Sequence, residues 1–299
     1  MHIQSQIADE FERNRQYLTG LAYRMLGSMS EAQDAVQEAY LRWHTADRAK
    51  VANPKAYLSK TVARLCLDQM KSARARREIY VGPWLPEPVL NNAELSADTA
   101  SEYAHDLSVG LLLALERLSP LERAAFLLHD VFDVGFGEIA DLLARNETAC
   151  RQLAARARDN VRAAHPRFEV APDTSMAIAR AFASALTSGD ASGLARLLAK
   201  DAVLHSDGGG KVRAALKVIA GRDRIVRFTV GIRHKFKGSA VVDTRFVHIN
   251  GMPGIVAMLS DGSLTAIALE LARDRIVAVY LMRNPDKLVQ VAEAIAKPH

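Results

Sequence analysis

Three prolines fall within six residues, Pro83, Pro86 and Pro88, and Trp84 sits directly behind the first. Proline fixes φ and has no backbone N–H, so neither a helix nor an inner strand can run through this stretch. With the Asn/Ser/Asp-rich residues behind it, the segment 81–101 is predicted to be an extended, partly polyproline-like linker. At 299 residues the chain is about twice a typical domain length. The break therefore divides it, with residues 1–80 and 102–168 flanking the linker and 172–299 forming a third part of different character.

Both flanks read as helical. Ile7, Phe11, Leu18, Leu21, Ala22, Met25 and Leu26 recur at helical spacing, and Gly27-Ser28 stops the run. Ser30 followed by Gln33 is a capping-box pattern for a second helix, whose inner face is Ala32, Ala35, Val36, Ala39, Tyr40 and Trp43. Asn53-Pro54 supplies a cap and a first-turn proline for a third helix. There Tyr57, Leu58, Val62, Leu65, Cys66 and Met70 oppose Lys60, Arg64, Lys71 and Arg74, and Arg76 and Arg77 follow. Beyond the linker, Ser119-Pro120-Leu121-Glu122 is a strong helix start. Gly137–Leu143, a short turn, and a long helix capped by Asn146 then make a helix-turn-helix.

The outer face of that second helix carries Thr148, Arg151, Gln152, Arg156, Arg158 and Arg162, and Arg145 lies in the turn. Arg151 and Gln152 are near the helix start and can form two-point hydrogen bonds with guanine and adenine edges. Arg145, Arg156, Arg158 and Arg162 are read as phosphate anchors. The net charge of +5 permits nucleic-acid binding without requiring it. No apolar run reaches the length of a membrane helix, and Asp9, Glu10 and Glu12 occupy the place of a signal peptide's apolar core. Cys66 and Cys150 make no disulfide framework, and both fall on inner helical faces. A cytoplasmic protein without a membrane partner is expected.

Residues 172–299 change period. One or two short helices, Ser175–Leu186 and Ala191–Ala199, precede β-branched runs at Ala202–His205, Ala240–Ile249, Gly254–Leu259, Leu264–Leu271 and Ile276–Leu281. Asn250-Gly251 and Asp261-Gly262 mark hairpin turns. This part is α+β with a curved, mostly antiparallel sheet. His205, Asp207, Asp243 and His248 are the candidate general bases, and a structural role is the preferred reading for them. Gly208-Gly209-Gly210 before Lys211 lacks the first glycine and the Ser/Thr of a phosphate loop. No ligand spacing suggests a metal, and no cofactor is expected.

Glu31–Trp43, Asn53–Leu58 and Leu118–Arg123 through Arg158 resemble regions two and four of an extracytoplasmic-function RNA polymerase sigma factor. Trp84-Leu85-Pro86-Glu87-Pro88, Asp207-Gly208-Gly209-Gly210-Lys211 and Asn284-Pro285-Asp286-Lys287-Leu288 resemble marks of the SigJ-like subgroup, which carries a SnoaL-like C-terminal extension. The resemblance implies two all-α DNA-binding domains, the second a helix-turn-helix, and a cone-shaped α+β SnoaL-like domain. It implies that Asp34, Gln37, Glu38, Leu41 and Trp43 dock on the β′ clamp helices of core RNA polymerase, whose β flap is a further contact. Asn53, Lys60, Arg64, Asp68, Lys71, Arg74, Arg76 and Arg77 would engage the minus-ten element of promoter DNA. Many relatives have asparagine where this chain has Arg64. The helix from Glu147 would read the minus-thirty-five element. The three C-terminal and linker motifs would meet and regulate the sigma factor in cis, with Trp84 as the anchor and Asn284-Pro285 opening the last helix. A small ligand in the cone is left open. A ligand-responsive helix-turn-helix regulator and a fused cyclase-like enzyme are the other readings.

Overall fold

The computed structural model describes residues 2–47, 51, 53–78, 80–90, 95, 99, 101, 103–164, 171–235 and 240–296, less the side chains of 2–7, 71–78, 172 and 232–235. The chain forms two compact units, Met1–Glu78 with Asn92–His165, and Ile79–Asn91 with Pro166–His299.

The first unit is helical: α1 (His2–Leu26), α2 (Met29–Thr45), α3 (Pro54–Glu78), α4 (Val109–Glu116), α5 (Pro120–Phe126), α6 (Phe136–Leu143) and α7 (Glu147–Ala164). α5 runs on through a π-helical turn, Leu127–Val131. The second helix starts two residues earlier than its capping pattern suggested. Ser28 is the cap, and its hydroxyl accepts from the Glu31 N–H at 3.2 Å. The Ser119–Glu122 capping box is complete, each residue's side chain meeting the other's backbone. Phe11, Leu18, Leu21, Met25, Val36, Trp43, Leu58, Val62 and Cys66 are all buried in the α1–α3 core.

Two buried arginines tie these helices to the segment around α4 and α5. Arg24 donates through Nη1 to the Leu95 carbonyl at 2.9 Å and through Nη2 to the Ala104 carbonyl at 2.7 Å. A side chain at Gly20 would place its Cβ 2.3 Å from that Leu95 oxygen, so the crossing requires glycine. Arg123 donates in the opposite direction, to the Met25 carbonyl at 2.7 Å, and pairs with Glu116 at 2.6 Å. Burial pulls the Arg24 guanidinium down to about 10, against the opposing fields of Asp106 and Tyr23.

The second unit comprises α8 (Pro172–Ser188), α9 (Ala191–Leu197), β1 (Leu198–Asp207), β2 (Ile219–Ala220), α10 (Arg222–Lys235), β3 (Val241–Ile249), β4 (Met252–Leu259), β5 (Leu264–Ala272), β6 (Arg275–Met282) and α11 (Val289–Ala296). The sheet order is β2-β1-β6-β5-β4-β3. Pairing is antiparallel except between β1 and β6, which run parallel with Asp207 opposite Met282. Asn250 and Gly251 both have positive φ, 53° and 77°, as the expected hairpin turn demands. The core lies between the helices and the sheet, where Phe182, Leu194, Leu204, Ile225, Ile255, Leu269 and Val279 meet.

α10 is absent from the sequence reading. Its Ile225-Val226 and Phe228-Thr229-Val230 look strand-like, yet packing against β1 and α9 holds them helical. The last helix also differs. Asn284-Pro285 opens a 3₁₀ turn, Pro285–Lys287, in which Asn284 Oδ1 accepts from the Asp286 N–H at 3.1 Å, and α11 begins only at Val289.

Candidate nucleic-acid interface and linker clamp

α6 and α7 are joined by Ala144, Arg145 and Asn146, with Ala144 in the left-handed region at φ 51°. Asn146 Oδ1 caps α7 by accepting from the Ala149 N–H at 2.8 Å. Cys150, Ala154, Ala157 and Val161 are buried, which turns the opposite side of α7 outward. Arg145, Thr148, Arg151, Gln152, Arg156 and Arg162 are exposed there. Arg151 pairs with Glu147 at 2.9 Å, and its guanidinium lies 4.6 Å from the Phe136 ring centroid. Arg158 does not belong with the exposed phosphate anchors. It is half-buried and paired with Asp130 at 2.6 Å, because its position turns toward the π-helical segment.

On α3, Asn53 is the cap, accepting from the Ala56 N–H at 3.1 Å. Arg64 and Asp68 are exposed, and Lys60 approaches Asp141 of α6 at 3.8 Å. Lys71, Arg74, Arg76 and Arg77 lie on the helix, and their side chains are outside the described residues. On α2, Asp34 and Gln37 are exposed, Glu38 pairs with Arg42 at 2.9 Å, and the Leu41 side chain stands in solvent at 54% exposure. Trp43 is the exception on this face. At 1% exposure it is core, tilted against Tyr57 with ring centroids 5.6 Å apart, so it supports the surface from beneath and cannot touch a partner.

In the second unit, Asp207 ends β1 as a buried carboxylate with four donors. Oδ1 accepts from the Tyr80 hydroxyl at 2.6 Å and the Gly209 N–H at 3.0 Å. Oδ2 accepts from the Leu85 N–H at 2.9 Å and from Lys287 Nζ at 2.8 Å. Lys287 also donates to the Leu85 carbonyl, and its ammonium lies 4.3 Å from the Trp84 ring centroid and 4.9 Å from that of Tyr80. Asn284 Nδ2 donates to the Tyr80 oxygen at 2.8 Å, and Lys211 pairs with Asp286 at 2.6 Å. Residues of all three motifs therefore converge on one carboxylate. Burial, followed by the hydrogen bond to Asp207, pushes the Tyr80 phenol above its ordinary 10.0.

The glycine run serves this junction. Gly209 has φ +63°, and a Cβ there would sit 2.4 Å from the Asn284 side chain; one at Gly208 would meet the Val212 carbonyl at 2.1 Å. Leu85 is the anchor rather than Trp84. With its N–H and C=O both fixed by Asp207 and Lys287, Leu85 is fully buried, and Trp84 is left half-buried against Lys287. Pro86, Pro88 and Leu288 are buried, Glu87 half-buried and Pro285 exposed. Farther along, Val89 exchanges hydrogen bonds with Asn250 at 3.1 and 2.7 Å. Sequence reasoning missed Tyr80 and Asn250; the Asn-Gly pair was legible only as a turn.

No acid–base chemistry fits this site, since the donors around Asp207 already occupy its lone pairs. His205 lies against Tyr280, ring centroids 5.5 Å apart. Burial pushes both cysteine thiols up, away from reactive thiolates. Among the described residues no helix is long and apolar enough to cross a membrane.

Residues 11–76 match the family described as Sigma-70 region 2, and residues 108–161 match Sigma-70, region 4. The chain is 36% identical over 290 residues to the ECF RNA polymerase sigma factor SigJ of Mycobacterium tuberculosis, covering 93% of this chain and 92% of that protein. It is 29% identical to a probable ECF RNA polymerase sigma factor, SigI, of the same organism, covering 94% of each. The crystal structure of M. tuberculosis SigJ superposes with a TM-score of 0.73 at 32% identity, covering 94% of this chain and 98% of that one.

Proposed function

The chain belongs to the extracytoplasmic-function RNA polymerase sigma factors, and from that membership we propose how its parts share the work of initiation. A sigma factor is not an enzyme; it binds core RNA polymerase and promoter DNA and directs where transcription begins. In this reading Asp34, Gln37, Glu38 and Leu41 of α2 meet the β′ clamp helices, and Trp43 holds that face rigid from inside. Asn53, Lys60, Arg64 and Asp68, with the basic end of α3, engage the minus-ten element. The α4–α7 domain contacts the β flap and reads the minus-thirty-five element through Arg151 and Gln152, with Arg145, Arg156 and Arg162 on phosphates. The protein acts where polymerase and chromosome are, in the bacterial cytoplasm.

The C-terminal unit regulates this activity in cis by fastening the linker. The observation that carries this is the Asp207 cluster, which binds the linker at Tyr80 and Leu85 and the C-terminal turn at Lys287. Run-off transcription by core polymerase with the full chain tests it. The chain directs promoter-specific transcripts, and Lys287→Met changes their yield severalfold without moving the start site. Equal yields from the two proteins would refute regulation through the clamp; a full chain that directs no transcript would refute the assignment of parts.

A further inference from the structure

Between Arg196 and Arg227 the chain has eight basic and three acidic residues. One of the three acids, Asp207, is buried and neutralised by Lys287. Four of the cations, Lys200, Arg222, Arg224 and Arg227, line one depression of ≈ 280 Å³ together with Ala220, Gly221 and Asp223. The fold assembles it. Val203 of β1 pairs with Ala220 of β2, which brings the β1 segment bearing Lys200 beside Gly221, where α10 starts. Arg224 and Arg227 are three residues apart on α10 and so share a side of it. Arg222 approaches Asp223 at 3.4 Å, whereas Lys200, Arg224 and Arg227 have no ion pair among the described residues. Ala220 and Gly221 also line it, and both are small enough to let an oxyanion approach the backbone.

We propose that this depression binds the phosphodiester backbone of duplex DNA, giving the sigma factor a third, sequence-independent contact with its promoter. Four gathered cations around one acid favour an anion, and the exposed guanidinium groups suit phosphate oxygens. No aromatic or large apolar side chain lines the depression to hold a base or nucleoside, which favours a polymer's backbone over a free nucleotide. The inference rests on the sigma-factor reading, because promoter DNA is the polyanion such a protein meets.

Holoenzyme built from core polymerase and the full chain is compared with one carrying Lys200→Gln, Arg224→Gln and Arg227→Gln together. The readouts are affinity for a promoter duplex from 50 to 200 mM salt and the start site in run-off transcription. Each phosphate contact contributes about 0.9 to the slope of log K against log salt, so the variant's slope is shallower by about 2.7. Over that salt range it loses about 40-fold less affinity than the parent. The start site is unchanged, because Arg151 and Gln152 are intact. Normal initiation with an unchanged slope overturns the site and leaves the sigma reading standing. Absence of promoter-specific initiation by the parent, together with a shallower slope for the variant, overturns the sigma reading and leaves the DNA site standing. Inorganic phosphate or ATP is titrated in parallel. Saturable binding of either that is lost in the triple variant, with no change in DNA slope, assigns the depression to a small anion and overturns the DNA contact.

Discussion

Asp207→Ala tests the clamp most directly. The Asp207 and Lys287 side chains are 0% and 10% exposed, so the substitution leaves a nearly buried ammonium, still bonded to the Leu85 carbonyl, without its carboxylate. It also removes the acceptor of the Leu85 N–H, which lies 2.9 Å from Oδ2. Breaking a buried ion pair from one side costs about 3–5 kcal/mol. An orphaned buried N–H costs about 1–3 kcal/mol, and the two penalties overlap because they fall on the same few atoms. A loss of about 4 kcal/mol in clamp closure is expected, close to three decades in the closed-to-open ratio. Hydrogen exchange at the Leu85 amide reads that ratio, with the amides of α7 as the internal control. The exchange rate at Leu85 should rise by about three decades and that of α7 should not change. Combining Asp207→Asn with Lys287→Met should recover part of the protection, since no unpaired charge then remains buried. Leu85 exchange in Asp207→Ala within threefold of the parent would refute the reasoning.

Leu85→Ala should destabilise linker docking by about 2–5 kcal/mol, and Trp84→Ala by less than half as much, because Leu85 is fully buried and Trp84 is half-buried beneath an ammonium. Limited proteolysis of the linker ranks the two, and the reverse order would make Trp84 the anchor. Gly209→Ala should cost about 1–3 kcal/mol in thermal unfolding, from its φ of +63° and the contact of its Cβ with Asn284; an unchanged melting temperature would show that the turn yields freely. Tyr80 holds its proton more tightly in the folded protein, so its stabilisation is complete below pH 10.0, declines as pH rises above that, and is gone once pH passes the higher folded-state value. Linker release followed by Trp84 fluorescence should show this alkaline step, and Tyr80→Phe should lack it. Arg151→Ala should weaken promoter binding by about 1–3 kcal/mol, and a promoter with a scrambled minus-thirty-five element should abolish the difference between parent and variant.

The elements legible in the sequence are those set by neighbours along the chain. The Ser119–Glu122 capping box, the Asn146 cap and the Asn250-Gly251 turn need only a few adjacent residues, and each stands where it was read. Convergence of the three motifs was an implication of resemblance, since no spacing rule joins residues 80 and 207. What escaped depends on tertiary environment. Arg24 and Arg123 look like ordinary surface cations until backbone carbonyls enclose them. Arg158 reads as one more basic residue on α7 until Asp130 faces it. Trp84 is the larger side chain and Leu85 the deeper one, a choice made by two hydrogen bonds to the Leu85 backbone. Lysines and arginines on β1 and α10 carry no motif, and only the β1–β2 pairing gathers them.

The parallel pairing of β1 with β6 has a consequence in time as well as in space. Because the two strands point the same way, the turns that follow them leave the sheet side by side; an antiparallel β6 would send the second turn to the far edge, about 26 Å away. Asp207 and Lys287 are 80 residues apart, and β6 is the last strand to leave the ribosome. Both helical segments of the first unit are complete well before the residue that fastens their linker has been made. Each newly synthesised molecule therefore passes through an unfastened stage, and the latch closes only on a chain translated nearly to its end. A message cut short before Lys287 yields both promoter-reading segments joined by a linker that lacks its lysine fastening.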